Sequence, residues 1–256
     1  MTQPALRDVN SGSQQDEQQL RVDLAAAFRL TAMNDWHEGI ANHFSLAVSP
    51  DAKSFLMNPR WVHFSRIKAS DLLLLNTDDD ATMDRPDAPD PSAWCIHGQI
   101  HAALPHARCL LHTHMPYATA VASLNDPEIK PIDQNTARFY RRCAYDTEFG
   151  GIADNQAEGA RIASMLGNRS IMMMGNHGVL IAANTVAEAF DDMYYLEKAC
   201  RTLVLAYSTG QPLNVLSDDV AEETASQWEA YGDGMKQAHF EEMKAILDNQ
   251  DPSYRH

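Results

Sequence analysis

The segment Arg108 to Leu124, RCLLHTHMPYATAVASL, constrains this chain more than any other stretch. An apolar run ends in two histidines one residue apart, and a proline follows directly after Met115. In a strand, side chains two apart point to the same face, so His112 and His114 project together from its end. Pro116 suits the first turn of a helix running to about Leu124. The reading is strand, turn, helix, with two imidazoles aimed at one point, as a metal site requires.

The neighbouring segments read the same way. Leu20, Leu24, Ala27, Phe28 and Thr31 recur at helical spacing, which predicts a first helix from Glu17 to near Trp36. Residues 1–15, rich in Gln, Ser and Asp, read as a flexible arm, and residues 16–256 as a single domain. Asn42 to Val48 and Ser54 to Met57 read as strands around a Ser49-Pro50-Asp51 turn. Leu72 to Leu75 is a further apolar run, followed by an Asp- and Pro-rich stretch read as an edge hairpin or exposed loop.

A helix capped by Ser92 runs to Leu104, with Ile96, Ile100 and Ala103 inward and His97 and His101 sharing another face. Asn155 to Leu166 reads as a helix. Ile171 to Met174 and Val179 to Ala182 read as strands joined at Gly175-Asn176-His177-Gly178. Thr185 with Glu188 forms a capping box for a long helix ending near Gly210, and a last helix starts around Ser217.

Composition excludes several classes of function. Twenty basic against thirty-five acidic residues give a formal charge of −15, which opposes a nucleic-acid backbone or an anionic membrane surface. The polar first twenty residues lack an apolar core, and Ile171 to Ala183 is too short to span a bilayer. Four scattered cysteines without a CxxC pair are read as reduced thiols in a cytoplasm.

His177, between glycines at a tight turn, is a third candidate ligand beside His112 and His114. Three neutral imidazoles leave at least one coordination position open, the pattern of a catalytic metal. Imidazole donors suit zinc, iron, copper or nickel, so spacing does not choose the ion.

The combination of GIANHFS (Gly39 to Ser45), IHGQIH (Ile96 to His101), HTHMPYA (His112 to Ala118), and NHGVL (Asn176 to Leu180) followed by AEAFDDMYYLE (Ala187 to Glu197) resembles the class II aldolase/adducin family. Order and spacing match from about Arg21 to Leu205. The resemblance implies a three-layer α/β/α fold with a central, mostly antiparallel sheet, usually in a homotetramer with sites between subunits. It also implies a divalent metal held by His112, His114 and His177, with Zn2+ first and Fe2+, Mn2+ or Co2+ as alternatives.

The departures from that family redirect the expected chemistry. Its sugar-phosphate aldolases carry a glutamate nineteen residues before the first HxH histidine, where it binds the metal and carries protons; here Ala93 stands at that place. Their phosphate-holding loop is replaced by Asn42-His43-Phe44-Ser45, and the second serine of a Ser-Ser pair is absent. The chain resembles the branch in which IHxxIH replaces the glutamate segment.

The resulting expectation is a metal-dependent carbon–carbon lyase, decarboxylase or retro-aldolase, acting on a small unphosphorylated hydroxy, keto or hydroxyaromatic acid. The metal would stabilise an enolate-like intermediate. His97 and Tyr145 are the candidate proton carriers, with His101 read as structural. Asn42, His43, Ser92 and Gln134 are candidate substrate contacts. Arg66, Arg138, Arg141 and Arg142 are candidate carboxylate clamps. Two other readings stand beside this one: an iron(II) oxygenase on the same fold and a non-catalytic assembly module of the adducin kind.

Overall fold

The computed structural model describes residues 9–153 and 155–256. In chain order its elements are α1 (Val9–Met33), β1 (His43–Ala47), β2 (Ser54–Met57), β3 (Leu73–Asn76), α2 (Pro91–Ala103), β4 (Cys109–Thr113), α3 (Pro116–Ala122), α4 (Gln134–Ala137), β5 (Cys143–Asp146), α5 (Gln156–Leu166), β6 (Ile171–Met174), β7 (Gly178–Ala183), α6 (Val186–Ser208) and α7 (Asp218–Gln250). The seven strands form one sheet in the order β3-β2-β1-β4-β7-β6-β5. Every pairing is antiparallel except that of β5 with β6. The expected three-layer architecture with a mostly antiparallel sheet is the one observed.

Strand parity divides the core. Cys109 and Leu111 of β4, Phe44 and Leu46 of β1 and Val179 and Ile181 of β7 join the large apolar cluster that includes residues of α1, α3 and α6. The alternate residues Leu110, Met172, Leu180 and Ala182 pack with Ile96 and Ile100 of α2 and Ile162 and Leu166 of α5. Because side chains alternate along a strand, His43 and Ser45 on β1 and His112 on β4 face the α2 layer.

Several boundaries differ from those read in the sequence. The first helix begins at Val9, so residues 9–15 of the expected arm have helical backbone, while residues 1–8 lie outside the described residues. It ends at Met33, before Trp36, whose ring packs edge-on against Tyr194 instead. Asp90, not Ser92, caps α2: its carboxylate accepts from the backbone N–H of Ser92 and of Ala93, and Pro91 takes the first helical position. Thr185 accepts from Glu188 N–H at 3.2 Å, but the Glu188 carboxylate reaches Asn184 N–H at 3.1 Å rather than the cap residue. The last helix is interrupted at Gly232, whose backbone is non-helical at φ 78° and ψ 175°.

Residues 77–90 are connecting backbone with one 3-10 turn, Thr82–Asp84, so the acidic stretch is the loop of the two alternatives. No described helix is long and apolar enough to cross a membrane.

Candidate metal centre

The end of β4 and the β6–β7 turn meet at three histidines. Ligand atoms of His112, His114 and His177 all lie within 4.8 Å of one another. Their ring centroids are 4.8, 4.9 and 5.1 Å apart, close to an equilateral triangle. The turn needs its glycines: a Cβ on Gly178 would lie 2.5 Å from Cδ2 of His114 and 2.8 Å from the Thr113 carbonyl, and one on Gly175 would lie 2.7 Å from the Asp146 carbonyl. Asn176 between them adopts φ 55°, a left-handed conformation that asparagine tolerates.

Hydrogen bonds define the tautomers. Nδ1 of His112 lies 3.0 Å from the Val179 carbonyl, and Nδ1 of His114 lies 2.8 Å from a Glu38 carboxylate oxygen. Both partners are acceptors, so both Nδ1 atoms carry a proton and donate it, and in the neutral rings that ligate a metal both Nε2 atoms then carry lone pairs. Those Nε2 atoms face each other at 3.3 Å. Two lone pairs so close repel unless a cation lies between them. The spacing is also what two nitrogens each about 2.0–2.1 Å from one tetrahedral zinc would show. Histidine ligands commonly donate their other ring N–H to a carboxylate or carbonyl, as these two do. The donor set therefore fits a divalent metal ion.

Burial favours the neutral form of two of the rings, His112 and His177, as ligation requires. Burial lowers His112 well below its ordinary value, with His43 and His177 adding to the effect. Burial, followed by the nearby His114, lowers His177 to about 4.

Beside the cluster lies a cavity of about 500 Å³, lined on its polar side by His43, Asp90, Ser92 and the three histidines. Ala41, Ile96, Phe149, Ile152 and Ala153 supply an apolar wall, with Phe149 and Ile152 exposed at its mouth. No arginine or lysine lines it among the described residues.

The other residues singled out in the sequence separate into those at this cavity and those remote from it. His43 lines it, its ring stacked on His112 at 4.7 Å, and Ser92 lines it with its hydroxyl donating to Asp90 at 2.6 Å. His97 does not: it is fully buried behind His43, whose Nδ1 is 2.7 Å from its Nε2. Asn42 is adjacent but turned away, its side-chain oxygen accepting the Glu38 N–H at 2.7 Å, so it fixes the loop that carries the carboxylate partner of His114.

Tyr145 pairs in register with Met173 and packs on the large cluster, the opposite face of the sheet from His112. Its hydroxyl accepts from Ile129 N–H at 3.1 Å, and burial raises its pKa, so it takes no part at the cavity. Gln134 lies on α4 in a separate cavity beside Trp228 and Tyr231 of α7. The candidate arginines are elsewhere: Arg138 is buried against Asp191 and Asp192, Arg141 pairs with Asp218, Arg142 pairs with Glu222 and Glu229, and Arg66 sits in a 3-10 turn away from the cavity lining.

Glu38, Asp90, Phe149 and Ile152 emerge only from the structure. A capping signal was available for Asp90, since an aspartate precedes Pro91 at the helix start, but single acidic or apolar residues in loops carry no periodic mark.

Comparison with known proteins bears on the same residues. The model of the Class II Aldolase and Adducin N-terminal domain matches residues 22–204, which include all three histidines. A Caulobacter vibrioides protein, provisionally named as an aldolase class 2 protein, is 33% identical over 219 residues, 86% of this chain and 84% of its own. Human beta-adducin is 30% identical over 196 residues, 75% of this chain but 27% of its own length. A solved aldolase II superfamily protein from Pseudomonas syringae superposes with a TM-score of 0.84 at 32% identity, covering 94% of this chain and 96% of that one. An L-fuculose 1-phosphate aldolase from Glaciozyma antarctica shares the fold, with a TM-score of 0.78 at 22% identity over 100% of this chain and 97% of that one.

Proposed function

This chain belongs to the class II aldolase and adducin family, and on that premise we propose that it is a metal-dependent carbon–carbon lyase. Its substrate is a small unphosphorylated hydroxy, keto or hydroxyaromatic acid, cleaved by decarboxylation or retro-aldol chemistry. The observation that carries this reading is the pair of bare imidazole nitrogens at 3.3 Å beside an open cavity. His112, His114 and His177 would hold the ion, zinc in the first instance, and a divalent ion there supplies Lewis acidity to a substrate oxygen.

The chain's own residues account for the rest. No arginine or lysine lines the cavity among the described residues, so a doubly charged phosphate would meet no cationic side chain there, and the single charge of a carboxylate would fall to the metal ion to hold. The apolar wall of Ile96, Phe149 and Ile152 favours a flat or aliphatic body. Ala93 is buried on α2 and cannot move a proton, so the proton-carrying role passes to His43, the one histidine among the described residues that lines the cavity outside the metal cluster. Burial, partly offset by Asp90, lowers His43 to about 3, which keeps the ring neutral near neutral pH. We further propose a cytoplasmic homo-oligomer, a tetramer as the family resemblance implies; the exposed Phe149 and Ile152 beside the cavity are suited to cover by a neighbouring subunit.

The test is incubation of the zinc-loaded protein with a panel of such acids, following carbon dioxide or aldehyde release. Silence across the panel with zinc bound contradicts the proposal. Loading with Fe2+ and following oxygen consumption tests the oxygenase alternative on the same three imidazoles. The similarity to beta-adducin favours a further reading, a non-catalytic assembly module; stoichiometric metal uptake with turnover excludes it.

A further inference from the structure

The metal cavity holds a carboxylate that is engaged on one oxygen only. Oδ1 of Asp90 accepts from Ser92 N–H at 2.9 Å, from the Ser92 hydroxyl at 2.6 Å and from Ala93 N–H at 3.3 Å. Oδ2 takes none of these bonds and has no other donor among the described residues, although an ionised aspartate has room for about four. Asp90 is half-buried and lines the cavity. It is not one of the side chains whose ligand atoms gather within 4.8 Å of one another, so it stands apart from the metal position.

Ser92 acts in the same sense. Its one hydroxyl proton goes to Asp90, so toward the cavity its oxygen offers lone pairs alone. His43, by contrast, belongs to the side of the cluster, stacked on His112 at 4.7 Å. No arginine or lysine lines the cavity among the described residues, so no cationic side chain there offsets the Asp90 charge. The cavity therefore has two unlike poles. The three imidazoles suit a cation, which would hold a carboxylate; Asp90 and Ser92 offer acceptors and one negative charge. A second carboxylate or a carbonyl set against Asp90 would bring oxygen against oxygen, whereas a hydroxyl would donate.

We infer that Asp90 is a specificity-determining residue: Oδ2 accepts a hydrogen bond from a substrate hydroxyl at the end of the molecule away from the metal, and its charge turns away substrates with a keto or carboxylate group there. The inference rests on the lyase reading for taking the substrate to be a small acid, and it narrows that class to acids with a distal hydroxyl. Asp90 thus joins two roles, since the oxygen that caps α2 fixes the direction of the one that meets substrate.

The experiment is calorimetric titration of the zinc-loaded protein with 3-hydroxybenzoate, benzoate and isophthalate, and with 4-hydroxybenzoate and terephthalate as the para pair. Zinc content is measured before each titration. Wild type is expected to bind the better hydroxylated isomer about 10-fold or more tighter than benzoate, as a net hydrogen bond to a charged group gives, and the matching dicarboxylate more weakly than benzoate. Asp90→Asn keeps the helix cap through its amide oxygen and puts an N–H donor where Oδ2 stood, so the order is expected to invert, with the dicarboxylate above the hydroxylated probe. Asp90→Ser also keeps a capping oxygen but leaves nothing at the Oδ2 position, and the hydroxylated probe and benzoate are expected to bind alike. A residue that only capped α2 would leave the order of the probes unchanged in both variants. That result, or a wild type that does not prefer a hydroxylated probe, overturns the inference. Absence of zinc uptake contradicts the inference and the lyase reading together. A silent substrate panel contradicts the lyase reading alone, because binding and not turnover is read here.

Discussion

At the residue scale the centre depends on contacts that single substitutions can remove. His177→Ala leaves two imidazoles and is expected to lower zinc affinity by more than about 100-fold, measured by competition titration; retained stoichiometric zinc contradicts the assigned ligand set. Glu38→Ala keeps all three ligands but frees Nδ1 of His114, and the expected loss is about 10- to 100-fold. Gly178→Ala acts through shape, because its methyl would overlap the His114 ring and the Thr113 carbonyl. Weakened zinc binding together with about 1–3 kcal/mol of lost stability is expected for it. His112 and His114 were legible in the sequence because the two-residue period of a strand is a local property. Glu38 was not, since nothing in a lone loop glutamate marks the imidazole it will meet.

At the element scale, the helix after the HxH pair is held by a distant one. Met115 gives α3 no side-chain cap, and the first two amides of the helix, Tyr117 N–H and Ala118 N–H, instead donate to the Glu197 carboxylate of α6 at 3.0 and 2.8 Å. Burial raises the pKa of Glu197, an effect those two amides partly oppose by favouring the charged form. Glu197→Ala orphans both amides and is expected to cost about 3 kcal/mol in urea denaturation, with Glu197→Gln intermediate. A loss below about 1 kcal/mol would show that solvent takes over the role. The existence of α2, α3, α5, α6 and α7 was readable from apolar spacing and stop signals, whereas the short α4 was not, since four residues carry no helical period. The caps were less readable: Asp90 displaces Ser92 because a carboxylate one residue before Pro91 reaches two amides at once.

At the scale of the whole molecule, the fold buries imidazoles as neutral groups. His43, His97, His101 and His112 are all nearly inaccessible, and desolvation lowers each of them, His43 and His101 to about 3. Unfolded histidine binds a proton near pH 6.5, so below that value the unfolded state holds more protons and stability falls as pH falls. Each ring contributes up to about 1.4 kcal/mol per pH unit, so the apo protein is expected to lose stability progressively as pH falls from about 6.5 towards about 3 in urea melts; a flat profile would mean the rings are charged or exposed in the folded state. The amino-acid sequence alone determined the α/β class, most of the strands and helices, and the histidines that share a strand face, because periodicity and turn chemistry act within a few residues; α4 and β5, each four residues long, left no such mark. Tertiary structure alone decided that His43 and not His97 reaches the cavity, that Tyr145 lies across the sheet from the three-histidine cluster, and that Gln134 belongs to another cavity. Those outcomes turn on which segments, far apart in the chain, the sheet order and strand register bring within a few ångströms, and no local pattern encodes that distance.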